Sequence, residues 1–164
     1  MADEQALVTI RGAFNATDAL CVVATLTGDF EARVKRDVLY PYYCFDAGCR
    51  IPTLAGRRPL SMPCLVDAVN GLGATADSFQ LKNERVPAGR IISTSLDGDQ
   101  AADVALRTVT HSLSRKLRTI AGFDVDLKPR GLVYKRFWIV QTSDARLLVD
   151  STTANWHPLK LEAA

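Results

Sequence analysis

The stretch Leu132-Val133-Tyr134-Lys135-Arg136-Phe137-Trp138-Ile139, followed by Arg146-Leu147-Leu148-Val149-Asp150-Ser151-Thr152-Thr153, decides how the chain is read. Its first part is β-branched and aromatic, and its second is apolar up to an aspartate followed by turn formers. The pair predicts an antiparallel β-hairpin whose last strand ends in Val-Asp. An earlier stretch has the same plan: Val38-Leu39-Tyr40-Pro41-Tyr42-Tyr43-Cys44-Phe45, a longer loop over residues 50–59, then Cys64-Leu65-Val66-Asp67-Ala68-Val69-Asn70-Gly71. Tyr40 matches Tyr134, Tyr43 matches Phe137 and Val66-Asp67 matches Val149-Asp150, with basic residues leading into each first strand (Lys35-Arg36 and Lys128-Pro129-Arg130). Strands draw on few residue types, so chance similarity is the competing explanation; three matches in the same order favour an internal duplication.

Working outward, residues 99–120 predict the clearest helix, with Ala102, Leu106, Val109, Leu113, Leu117 and Ile120 recurring every three or four positions. Asp97 or Asp99 can cap its start, Arg115, Lys116 and Arg118 suit the negative end of its dipole, and Gly122 supplies a stop. Phe123-Asp124-Val125-Asp126-Leu127 then alternates as a strand. In the first half, residues 19–26 suit a helix or a strand; Thr17 or Asp18 as a cap and Gly28 as a stop favour a short helix, preceded by Leu7-Val8-Thr9-Ile10 as a strand or helical turn.

These elements predict an α+β fold: two similar helix-plus-antiparallel-hairpin units packed as one compact domain, with a pseudo-two-fold duplication. The units are expected over residues 1–75 and 99–158, joined by a partly extended linker at 76–98 and followed by a flexible tail at 159–164. A helix and a hairpin ending in Val-Asp-Ala-x-x-Gly resemble the PepSY-type units of prokaryotic proteins, small α+β modules with a helix on a curved sheet. The resemblance rests on Val66-Asp67-Ala68 through Gly71 and on Val149-Asp150 with Ser151 to Thr153, the second copy lacking the glycine. It implies a non-catalytic module that binds or regulates a partner, and it carries over no site residue. Asp67 and Asp150 are then structural, accepting backbone hydrogen bonds in the turns that follow them.

Composition bounds the function. The 164 residues are 48% apolar and 23% charged, as in an ordinary folded domain, and the net charge of +2 points to no charged partner. Residues 1–100 hold 10 basic and 12 acidic side chains and residues 101–164 hold 10 and 6, so an anionic partner would favour the second half. No apolar run approaches the roughly 18 to 20 residues of a membrane span. The acidic start Met-Ala-Asp-Glu-Gln lacks the basic region of an export signal, so no membrane partner and a cytoplasmic location are expected. In that compartment Cys21, Cys44, Cys49 and Cys64 are expected as free thiols. Only Cys44 and Cys64 are expected to share a hairpin face, which disfavours zinc.

The chain shows no catalytic constellation and no cofactor motif. His111 and His157 adjoin no nucleophile elbow, and Gly71-Leu72-Gly73-Ala74 lacks the Walker lysine, so it is read as a turn. The remaining candidates are basic. Arg107, His111, Arg115 and Arg118, spaced by four, four and three, form one helical stripe beside Lys116, a possible set of anion or nucleic-acid contacts. Lys128, Arg130, Lys135 and Arg136 interleave with Tyr134, Phe137 and Trp138, a mixture that single-stranded nucleic-acid binders use. The preferred expectation is a protein- or small-ligand-binding regulatory module of unknown partner and oligomeric state. The alternative is RNA or single-stranded DNA binding through the basic second half.

Overall fold

The computed structural model describes residues 3–117 and 124–159. In chain order the described elements are β1 (Glu4–Ile10), α1 (Ala16–Thr27), β2 (Arg33–Thr53), β3 (Gly56–Asp67), β4 (Gly73–Thr75), β5 (Leu81–Pro87), a 3-10 turn at Ala88–Arg90, α2 (Gly98–Leu117), β6 (Val125–Gln141), β7 (Arg146–Asp150) and β8 (Trp156–Leu159). The fold is sheet-dominated with mixed pairing, and two compact units emerge, neither continuous in sequence. The long strands β2 and β6 contribute a segment to each. No described helix is long and apolar enough to cross a membrane.

The first unit comprises Met1–Tyr40, Leu81–Ile92 and Tyr134–Ala164. Here β1 pairs antiparallel with β5 along its whole length, from Glu4↔Pro87 to Ile10↔Leu81, and parallel with β6 at Thr9↔Tyr134. β6 pairs with β7 and β7 with β8. Asn15 caps α1 in a reciprocal box with Asp18, and Gly28 ends it at φ 71°. The cap thus lies ahead of Thr17 and Asp18, because Asp18 serves as the third helical residue that reaches back to the Asn15 amide. Ala19 and Val23, one turn apart, bury their face against Val140, Leu147 and Val149.

The second unit comprises Pro41–Gln80 and Ser93–Val133. β2 and β3 pair from Tyr42↔Asp67 to Thr53↔Gly56, so the loop expected over 50–59 shrinks to Leu54 and Ala55. Pro52 and Pro59 tolerate extended backbone, and Ile51 and Thr53 favour it, so the two strands run on to the turn. Asp97 caps α2 with Gln100 in a second reciprocal box. The helical turns expected after Leu117, the Gly122 stop, Arg118 and Phe123 lie outside the described residues. The buried stripe of α2 is Ala101, Ala105, Val109 and Leu113, while Leu106 is exposed. Small residues face the sheet because β4 comes close: a Cβ on Gly73 would collide with the Thr108 side chain.

The expected pair of consecutive helix-plus-hairpin units is therefore incorrect. Eight described strands outweigh two helices, and each helix packs mainly with strands of the other half: α1 with β6 and β7, beside Val34 of β2, and α2 with β2, β3 and β4, beside Val125 and Leu127 of β6. Amphipathic pattern marks which face of an element must be buried, but not which partner buries it, and here long strands bring distant segments within reach. Within the stretch read as a linker, residues 81–87 form β5. Residues 125–127 of the short strand expected at 123–127 and the strand expected at 132–139 belong to one strand, β6, with Gly131 at φ 83° between them. Of the expected tail, Leu159 ends β8 and the rest lies outside the described residues.

Candidate ligand-binding site

The turn after β7 anchors the site. Asp150 accepts bonds on Oδ1 from the amide and hydroxyl of Thr152, each at 2.7 Å, and Lys135 Nζ donates to its Oδ2 at 3.2 Å. Burial pushes the Asp150 carboxyl up, but the Thr152 bonds and Lys135 outweigh it, so the group lies below its ordinary value. Ala154 closes the turn at φ 61° by donating to the Asp150 carbonyl. The Ser151 carbonyl accepts from the amides of Ala13 and Phe14, which ties the turn to the segment leading into α1, and Trp138 Nε1 donates to Phe14 O at 3.0 Å.

The second unit has the same hydrogen-bond scheme. Asp67 Oδ1 accepts from the amides of Val69 and Asn70, Gly71 closes the turn at φ 73°, the Ala68 carbonyl accepts from Ser95 and Leu96, and Tyr43 Oη donates to Leu96 O. Both aspartates therefore have the turn-forming role expected of them. The strand register corrects one match: Phe137 lies opposite Asp150 and Tyr42 opposite Asp67, so Tyr43 corresponds to Trp138 and not to Phe137. One difference between the turns matters most. Where the second unit has Ala68, the first has Ser151, and the turn closes equally well with either.

Ser151 is 2% exposed, and its Oγ has no hydrogen-bond partner among the described residues. It lines a cavity of about 320 Å³ together with Ile10, Gly12, Asn15, Asp18, Lys82, Arg136 and Trp138. A Cβ on Gly12 would stand 3.0 Å from that Oγ, so the glycine lets the β1–α1 segment pack closely over Ser151. A buried hydroxyl without a partner costs about 1–3 kcal/mol.

Behind the cavity lies a charge network. Arg136 Nε donates to Asp37 at 2.7 Å and its Nη2 to Glu84; Arg90 also holds Asp37, and Lys82 holds Glu84. Burial lowers the Arg136 pKa, yet the two carboxylates more than compensate and raise it. Glu84 follows the opposite balance: burial raises it and its bonds from Lys82 and Arg136 bring it below the ordinary range. Arg136 also lies over Trp138, 5.7 Å from the ring centroid. The pattern of single residues could not reveal this network, because its members are up to 99 positions apart in the chain.

The basic residues singled out in the sequence are divided between the units. Arg107, His111 and Arg115 are exposed on α2 in the second unit, and no ion pair among the described residues involves them. Arg118 lies outside the described residues. Lys135 and Arg136 belong to the first unit and are engaged by Asp150, Asp37 and Glu84. Of the neighbouring aromatics, Phe137 is buried and packs edge-on to Tyr40, while Trp156 is exposed.

All four thiols are free, as expected, but Cys44 and Cys64 do not share a hairpin face. Cys44, Cys49 and Cys64 are buried and Cys21 is exposed. Phe45 lies opposite Cys64, so Cys49, four residues on from Phe45, shares the α2 face with Cys64, and Cys44 points to the other face. The corrected register leaves no group of three or more His, Cys, Asp or Glu side chains placed to hold a metal among the described residues. Burial, with a smaller contribution from Cys44, pushes the Cys64 thiol up to about 11. Such thiols are protonated at neutral pH and are poor nucleophiles.

No protein-family model, curated protein or solved structure matches this chain, so the PepSY resemblance rests on the strand-to-turn residues alone.

Proposed function

We propose that this protein is a non-catalytic small-ligand-binding module that takes its ligand into the cavity beside Ser151. One observation carries the reading: Ser151, whose buried hydroxyl has no partner among the described residues, borders a cavity that Asp18, Lys82, Arg136 and Trp138 also line, at a position where the equivalent turn of the second unit uses alanine. A serine that the turn does not require, and that costs stability when empty, is what a binding site retains. Nucleic-acid binding is the weaker reading, since Lys135 and Arg136 are committed to carboxylates. A cytoplasmic setting belongs to the same proposal and suits four free thiols.

The test uses amide NMR spectra of the wild type and Ser151→Ala with acetate, inorganic phosphate, glycine and ethylamine as probes. At least one probe is expected to move the signals of Gly12, Ala13 and Ser151 saturably in the wild type and to lose that effect in the variant. Without ligand, Ser151→Ala should equal the wild type in stability or exceed it by up to about 1 kcal/mol, since an unpaired hydroxyl is removed. The reading fails if no probe moves those signals, or if the variant is markedly less stable.

A further inference from the structure

We infer that the end of the β2–β3 hairpin is an arm that docks in a groove of duplex DNA, a site of the second unit separate from the cavity of the first. The arm is four rungs long, from Arg50↔Pro59 to Thr53↔Gly56, and turns at Leu54 and Ala55. At about 3.3 Å per rung it extends roughly 13 Å, enough to reach the floor of either groove of B-form DNA. All of its residues except Ile51 are exposed, and Leu54 is fully so. Arg50 and Arg57 oppose Pro59 and Pro52 on one face of the ribbon, whereas Arg58 opposes Ile51 on the α2 face. No acidic residue occurs between Asp46 and Asp67.

The direction of α2 adds charge at the same end. β4 places Gly73 opposite Val66 and Thr75 opposite Cys64; Val104 and Thr108 lie by Gly73, and Ser112 lies by Thr75. The helix therefore runs toward the hairpin turn, carrying Arg115 and Lys116 to the arm and leaving Asp97, Asp99 and Asp103 at the far end. Arg50, Arg58, Arg115 and Lys116 take part in no ion pair among the described residues. Arg57 meets Asp124 at 3.9 Å with both side chains exposed, a contact worth little in water. Asp124 and Asp126 line the Arg50 and Arg57 face beside Gly48 and Ser61, at the base of the arm. Three features select the partner. Guanidiniums on both faces of a narrow ribbon suit phosphates on both walls of a groove, each able to take two donors at once. Pro52 and Pro59 lack the amide that a strand adding to the ribbon would bond. A single exposed leucine is less apolar surface than the one acyl chain that gives only marginal membrane binding, yet it suits the interior of a DNA groove. The arm uses neither Lys135 nor Arg136, which carboxylates already hold.

Fluorescence anisotropy of the full chain with a labelled DNA duplex of about 20 base pairs, from about 50 to 200 mM salt, tests this. The wild type is expected to bind the duplex more tightly than its single strands, with an affinity that falls steeply with salt. Arg50→Ala, Arg57→Ala and Arg58→Ala together should lower the slope of log K against log salt by about 2 to 3, at roughly 0.9 per phosphate contact, and weaken binding at least about tenfold. Removing the same charge from exposed positions of the first unit, by Arg33→Ala, Lys35→Ala and Arg36→Ala together, should change the slope by less than about 1. Leu54→Ser should weaken binding about threefold or more at an unchanged slope, because it removes an apolar contact and no charge. Circular dichroism checks that each variant keeps its fold, and the altered positions of the arm are all exposed. The inference is overturned if the duplex does not bind at about 50 mM salt, or if both triple variants lose equally. It is equally overturned if single strands or duplex RNA bind as tightly as duplex DNA, or if vesicles of phosphatidylserine and phosphatidylcholine bind in place of DNA. Each of these results leaves the cavity reading standing, since its residues belong to the first unit.

Discussion

Cys64 shows what burial does to a single side chain. It has no exposed surface, lies opposite Phe45 on the α2 face, and its thiol is pushed up to about 11 by burial and, less, by Cys44. An unfolded cysteine titrates near roughly 8.5, so the folded protein holds this proton more tightly. The resulting stability is complete below about pH 8.5 and is lost as the pH rises toward about 11, because the unfolded chain then ionises first. Urea denaturation across pH 7 to 11 should show this alkaline loss in the wild type and a shallower one in Cys64→Ala. Cys64→Ser should cost about 2 kcal/mol at pH 7, since a hydroxyl enters an apolar site. An equal alkaline slope in wild type and Cys64→Ala would show that Cys64 is not the group responsible.

Among the elements, α2 and β4 depend on one another through Gly73. The stripe Ala101, Ala105, Val109 and Leu113 lets the helix lie close to the sheet, and a side chain at position 73 would collide with Thr108, whose Oγ1 bonds the Val104 carbonyl at 2.8 Å. Gly73→Ala should therefore destabilise by about 1–3 kcal/mol, the range of overpacked cores. Thr108→Ala removes the colliding hydroxyl, so the double variant should be more stable than the sum of the single changes by at least about 0.5 kcal/mol. A strictly additive double-mutant cycle would mean that β4 and α2 do not meet at this pair. Helix existence was legible in the sequence at α2, from periodicity and Asp97; at α1 periodicity left helix and strand open, and only a Thr17 or Asp18 cap and the Gly28 stop favoured a helix. Of the facing residues Val109 and Leu113 were legible and Ala101 and Ala105 were not, because a stripe through Leu106 and one through Ala105 differ by a single position, and the approach of β4 selects the smaller residues.

At the scale of the molecule, chain order and cooperative order differ. β5 lies in sequence between β4 and α2, both of the second unit, yet pairs along its length with β1 of the first. Hydrogen exchange of Gly73→Ala should consequently accelerate most in Pro41–Gln80 and Ser93–Val133, while the amides of Leu81–Pro87 keep the rates of their β1 partners. Acceleration of β5 together with its sequence neighbours, and not with β1, would contradict this division.

The sequence by itself determined where β2, β3, β6, β7 and α2 lie, and that Val66-Asp67 and Val149-Asp150 end strands in aspartate-capped turns. Each of these depends on side-chain periodicity, local hydrogen bonding or burial tendency, which a residue and its near neighbours carry with them. Tertiary structure alone decided that α1 serves the strands of the second half and α2 those of the first, that residues 81–87 pair with β1, and that Arg136 joins Asp37 and Glu84 beside Ser151. An apolar stripe or a buried charge specifies the kind of partner it needs and not its position in the chain, so these choices are made by long-range pairing when the strands meet.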